Sequence, residues 1–155
     1  MNNMDIIEIY KKINFVNRYK LICEKHDDFN NRMEGNRVDL YEEILNELEI
    51  KYKYYKKDRF FKLEDQIKDF KFNLHFDFKD GIVEALIYIE KGDEYFKPNG
   101  RFDFIPEELG IDFNRKIYNL PKYTKEIELK EIITEIISIY EDFKFELLKQ
   151  YLKDI

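Results

Sequence analysis

The feature that most restricts the fold is a strict alternation at residues 71–78. Phe72, Leu74, Phe76 and Phe78 are apolar, while Lys71, Asn73, His75 and Asp77 between them are polar. A period of two puts the two sets on opposite faces of an extended strand, one buried and the other wet or paired. Lys79-Asp80-Gly81 follows and supplies a turn, with Gly81 free to take positive φ. Residues 82–90 return as a second strand. Its apolar residues occupy both faces, Val83, Ala85, Ile87 and Ile89 against Leu86 and Tyr88, which suits a central position. Residues 91–100, with Gly92, Pro98, Asn99 and Gly100, read as a loop. Residues 101–105 read as a third strand stopped by Pro106.

Helical periodicity brackets this hairpin. At the C-terminus, Ile127, Ile132, Ile133, Ile136, Ile137, Tyr140, Phe143, Leu147, Leu148 and Tyr151 form a long stripe at i, i+3, i+4 spacing, with Thr124 as its cap. This helix is expected to cross the buried face of the hairpin. Residues 4–25 read as helical with a break near Asn14. A loop over 26–37 precedes a helix at about 39–50, capped by Asp39 and buried through Leu40, Tyr41, Ile44, Leu45 and Leu48. Residues 51–70 leave strand and helix both open: Tyr52, Tyr54, Phe60 and Phe61 suit a strand, whereas 63–70 suits a helical turn. The predicted fold is α+β, an antiparallel sheet packed against N-terminal helices and a long C-terminal amphipathic helix. The 155 residues show no repeat or linker, so residues 1–155 are expected to form a single domain.

Composition narrows the function. Charged residues make up 39% of the chain, well above the usual ~25%. The 14 Phe and 12 Tyr nonetheless supply a large core, so a dense ionic coat over a folded domain is expected. Cys23 is the sole cysteine, which excludes an intramolecular disulfide and suits a reducing compartment. The N-terminus shows no secretory pattern and the longest apolar run, 85–89, is far too short to span a bilayer; a cytoplasmic location is expected.

Catalytic chemistry finds little footing. His26 lies in a polar loop and His75 on the polar face of a strand, neither at ligand spacing with a cysteine or carboxylate. The five glycines form no phosphate-binding loop. Asp77-Phe78-Lys79-Asp80-Gly81 fails as a calcium loop, because Lys79 occupies a ligand position. Neither a metal nor a cofactor is expected, and a non-enzymatic, binding role is.

The net charge of −6 is concentrated in residues 77–112. That stretch holds Asp77, Asp80, Glu84, Glu90, Asp93, Glu94, Asp103, Glu107, Glu108 and Asp112 against Lys79, Lys91, Lys97 and Arg101. Acids beside aromatics can steer and anchor a basic protein partner. The expected contact residues are Asp80, Glu84, Asp93, Glu94, Tyr95, Phe96, Asp103, Glu107, Glu108 and Asp112. A solvated acidic loop is the plainer reading of the same residues, and Phe102 and Phe104 suit strand positions facing the core equally well. An opposite pattern occupies 51–62, where Lys51, Lys53, Lys56, Lys57, Arg59 and Lys62 interleave with Tyr52, Tyr54, Tyr55, Phe60 and Phe61. Aromatics between cations can stack bases while the cations hold phosphates, which gives a nucleic-acid-binding or regulatory module as the alternative. The acidic balance of the whole chain speaks against nucleic acid.

The second half also carries a resemblance. Gly81-Ile82-Val83-Glu84, Pro98-Asn99-Gly100, Phe102-Asp103-Phe104-Ile105, Tyr118-Asn119-Leu120-Pro121 and the helix from Glu131 through Phe145 resemble a small bacterial immunity protein. Such proteins protect a cell against polymorphic or contact-dependent growth-inhibition toxins. The resemblance, over 81–149, rests on texture and implies tight binding to one cognate toxin effector domain, often a nuclease, with no contact residue carried over by position.

Overall fold

A computed structural model describes residues 3–153. Two short helices come first, Asn3–Lys12 (α1) and Phe15–Lys25 (α2), separated at Asn14, whose φ of 59° breaks the helical path. Val38–Glu47 (α3) follows. Its N-cap is Arg37, so Asp39 lies inside the first turn and is not the expected cap; there its charge still complements the helix dipole.

Residues 51–70 are β, which excludes the helical alternative. Lys53–Tyr55 (β1) pairs antiparallel with Phe60–Ile67 (β2), and β2 turns tightly through Lys68 and Asp69 into Phe70–Asp77 (β3). Lys68 takes the left-handed conformation, φ 57°, that such a two-residue turn needs. Glu84–Lys91 (β4) completes the central hairpin with β3, in unbroken register from Asp77↔Glu84 to Phe70↔Lys91. Glu94–Tyr95 (β5) and Gly100–Arg101 (β6) share the far edge of β4. The expected strand at 101–105 is therefore only its first residue. Phe102–Phe104 turn away, and Ile105–Glu108 forms a short helix (α4). Pro106 sits in the first turn of α4, where a missing N–H leaves no bond unmade, so it helps start a helix here and does not stop a strand.

Glu126–Lys153 (α5) is the long C-terminal helix. Thr124 lies just before it, and its backbone N–H donates to Glu128 Oε1 at 2.8 Å. The buried stripe includes Leu129 and Ile139, which the sequence reading omitted, whereas Ile127 is exposed.

All the long helices lie on one side of the sheet. The face of Phe61, Leu63, Phe70, Phe72, Leu74, Phe76, Ala85, Ile87 and Ile89 is buried beneath them. Tyr41 of α3 packs on Phe78 with ring centroids 5.1 Å apart, and Tyr151 of α5 meets Phe70 edge-on at 5.0 Å. Tyr10 of α1 packs on Phe143 of α5 at 4.6 Å. Phe102 plugs the side of this core against Phe15 at 5.0 Å, and its N–H donates to Ala85 O. Among the described residues, no helix covers the opposite face of the sheet.

Candidate interaction surface

Strand alternation and register determine what the uncovered face presents. Phe60, Lys62, Glu64 and Gln66 come from β2, and Lys71, Asn73, His75 and Asp77 from β3. Glu84, Leu86, Tyr88 and Glu90 come from β4. Lys53 and Tyr55 of β1 join them opposite Lys62 and Phe60. Apart from Asn73 these residues are half-buried or exposed.

A row of rings runs across this face. Tyr55 stacks on Phe60 at 4.7 Å and 8°, Phe60 stacks on His75 at 4.6 Å and 19°, and Tyr88 meets His75 edge-on at 5.1 Å. The Tyr88 hydroxyl lies 3.2 Å from His75 Nε2. Partial burial, then the nearby Lys62 ammonium, push the His75 pKa down to about 4. His75 is therefore neutral at physiological pH, and its Nε2 can accept from the Tyr88 hydroxyl. Lys53 Nζ lies 4.9 Å from the Tyr55 ring centre, a cation–π contact at the end of the row.

Charges of both signs surround the rings. Glu64 lies between Lys62, at 3.1 Å, and Lys71, at 3.5 Å. The hydrogen bond from Lys62 holds the Glu64 carboxyl below its ordinary range. On the other side Asp77 pairs with Lys79, and Glu84 approaches Arg101 at 3.8 Å. Beneath the row, Asn73 is fully buried with Oδ1 unpaired.

The acidic residues expected to act together are spread over three places. Asp80 and Glu84 lie at one end of the β3–β4 hairpin, and Asp93, Glu94 and Tyr95 at the other. Seven residue steps of β4 separate those ends, about 23 Å at strand spacing. Asp103, Glu107 and Asp112 line an open cleft of about 960 Å³ beside β6, with Glu108 exposed on the adjacent helix. In that cleft the three carboxylates face Arg101, Arg115 and Lys116, so its charge is balanced. Two expected contact residues are internal. Phe96 is 4% exposed and packs on Phe70, so it is a core residue and not an exposed anchor. Asp103 is 7% exposed and accepts two hydrogen bonds from Arg101, both at 3.0 Å. Tyr95 is 62% exposed and lies opposite Glu90, on the same face as the ring row.

The sequence had marked Tyr55 and Phe60 within a basic-aromatic stretch and His75 as a polar-face residue. Joining them to Tyr88 requires the register of three strand pairs, which no local pattern encodes. Phe104, 38% exposed, is a smaller feature: the guanidinium groups of Arg101 and Arg115 lie 4.5 and 4.4 Å from its ring centre.

Among the described residues no group of His, Cys, Asp and Glu could hold a metal ion, and no helix is long and apolar enough to cross a membrane. Comparison with protein-family models, with curated proteins and with solved structures finds no match.

Proposed function

We propose that this chain is an immunity protein that neutralises a bacterial toxin by stoichiometric binding, and that the uncovered sheet face makes the contact. The observation that carries the proposal is the row Tyr55–Phe60–His75–Tyr88, held in stacked and edge-on geometry on the side of the sheet that no helix covers. Rigid aromatics within a rim of mixed charge suit a protein interface: they offer large area at low entropic cost, and the surrounding ions confer register. Net charge of −6 would steer a basic effector toward the molecule, although no single acidic patch does so.

The nucleic-acid alternative shares the same rings and is weaker on charge. A surface that binds phosphate backbones needs cations in excess. On the strands of this face Lys53, Lys62, Lys71 and Arg101 are matched by Glu64, Asp77, Glu84 and Glu90, and Lys62 and Lys71 both lean on Glu64; the surplus cations Lys56, Lys57 and Arg59 lie in the β1–β2 turn at its margin.

The test is co-expression with the C-terminal domain encoded by the adjoining gene. The expected outcome is rescued growth and co-purification at a one-to-one ratio, with both lost in Phe60→Ala. Failure of the wild-type chain to rescue or co-purify would refute the proposal.

A further inference from the structure

Asn73 lies on the uncovered face of β3. Register sets it in one row with Glu64 of β2 and Tyr88 of β4, and Lys71 and His75 flank it along its own strand. It is nevertheless 0% exposed. A polar side chain sunk that deep normally has both ends of its amide bonded. Here only one end is. Nδ2 donates to Tyr88 O and to Glu90 Oε1, both at 3.4 Å. Two acceptors on that side fix which limb is the amine, so the carbonyl limb diverges from them. Oδ1 has no donor within reach. The two lysines beside it are drawn elsewhere: Lys62 and Lys71 reach Glu64 at 3.1 and 3.5 Å. A buried carbonyl left unpaired lowers stability, and leucine, of nearly the same shape, would remove that cost.

We infer that Asn73 Oδ1 accepts a hydrogen bond from an arginine side chain of the bound toxin, which makes Asn73 a specificity-determining residue of the sheet-face contact. The inference rests on the protein-binding reading above and adds the chemistry of the group read there. Carboxylates flank the orphaned acceptor, Glu64 in its own row and Glu90 in the next, and the Tyr88 ring stands beside it. A guanidinium suits that set, because its planar fork meets a carbonyl and a carboxylate together and stacks on a ring. The side chains that cover Asn73 include its neighbours in register. Of these, Glu64 and Lys71 are 43% and 38% exposed, and ion pairs that exposed are weak. A guanidinium that takes the Glu64 carboxylate therefore frees both lysines to swing outward. A second copy of this chain is a poor source of the arginine. Each copy carries a net charge of −6, and four of its six arginines are already engaged: Arg18 by Asp142, Arg32 by the Phe29 and Asp80 carbonyls, Arg101 by Asp103, and Arg115 by the Phe104 ring.

Asn73→Leu tests the inference, because stability and binding are expected to move in opposite directions. The probe is the C-terminal domain encoded by the adjoining gene, titrated against the full chain. The urea midpoint of Asn73→Leu is expected to equal or exceed that of wild type, while the dissociation constant rises about tenfold or more. Glu64→Gln keeps the shape and removes the charge, and is expected to weaken binding about threefold or more. Nuclear Overhauser contacts in the unmutated complex, between the Asn73 side-chain amide and guanidinium protons of the domain, give a reading that no variant's folding affects. A complex that Phe60→Ala weakens, but that lacks those contacts and tolerates Asn73→Leu at wild-type affinity, would overturn this inference alone. Parallel loss of midpoint and affinity in Asn73→Leu, again without those contacts, would mark a structural role and overturn it too. Weakening by Asn73→Leu with none by Glu64→Gln would assign a neutral donor and overturn the arginine. No complex with the wild-type chain would overturn the immunity reading and this inference with it. Sedimentation of the free chain as a dimer that Asn73→Leu dissociates would assign the arginine to a second copy and overturn the partner named here.

Discussion

Gly81→Ala is expected to be among the most damaging single-methyl additions in the molecule. Gly81 is buried at the end of the β3–β4 turn with φ of +72°. A Cβ there would lie 2.6 Å from Arg32 Cβ, 2.9 Å from Met33 N and 3.1 Å from Met33 O. These neighbours cannot swing aside cheaply. Met33 N–H donates to Tyr123 O at 3.0 Å, and Tyr123 N–H donates back to Gly81 O at 3.0 Å. The left-handed conformation costs about 1–2 kcal/mol for a residue with a Cβ. Forcing the 32–33 backbone outward adds about 1–3 kcal/mol of overpacking. Loosening the Met33–Tyr123 bond adds about 1 kcal/mol. A total of about 3–6 kcal/mol is expected, a large share of the stability of a domain this size. Gly92→Ala is the control, since Gly92 has φ of +63° and nothing within 4 Å of its would-be Cβ. It shares the conformational term and the gain from stiffening the unfolded chain, and lacks the crowding. Urea unfolding of both variants, with m unchanged, reads the difference. Gly81→Ala costing no more than Gly92→Ala would refute the claim that Arg32 and Met33 are held rigidly against Gly81.

Tyr123→Phe is expected to lose about 1–3 kcal/mol in urea unfolding, because the Tyr123 hydroxyl donates to Phe78 O and lies 3.1 Å from the Tyr41 hydroxyl, and the variant leaves the buried Phe78 carbonyl short of a partner. Phe96→Ala should destabilise by about 3–5 kcal/mol, as a buried ring does, whereas its exposed neighbour Tyr95→Ala should change stability by about 0.5 kcal/mol or less; equal effects would contradict the assignment of Phe96 to the core. Burial lowers the pKa of both His26 and His75, the latter to about 4, so the unfolded chain binds more protons than the folded one below the ordinary histidine value of about 6.5. Stability from these residues is therefore full above that value and falls as pH drops from it toward 4. Urea midpoints measured between pH 7.5 and 5 should show this decline, and His75→Gln should flatten it; a midpoint that rises on acidification would contradict the sign.

Much of this architecture was legible in the sequence, because hydrophobic period is a local signal. The alternation at 71–78 gave β3 with its correct buried face, and the C-terminal stripe gave α5. Legibility failed where two signals overlapped. Phe60 and Phe61 are adjacent and face opposite sides of β2, so 51–70 showed no clean period. Phe102 and Phe104 alternate like a strand, yet one fills the core beside Phe15 and the other lies between two arginines. The candidate surface was less legible still. Acids contiguous in sequence were expected to act as a patch, but an eight-residue strand carries its ends far apart, and Arg101 takes up Asp103 on the way. The ring row is assembled from Tyr55, Phe60, His75 and Tyr88, which only the pairing of four strands makes neighbours.

The most direct test of the central claim is the calorimetric dissociation constant for the adjoining-gene effector domain, measured for two variants that keep the fold. Phe60→Ala combined with Tyr88→Ala removes the ring row, and Asp93→Lys combined with Glu94→Lys reverses the far acidic end. If the uncovered sheet face makes the contact, the first should weaken binding by about a hundredfold or more and the second by no more than about fivefold. The opposite ranking would contradict the account.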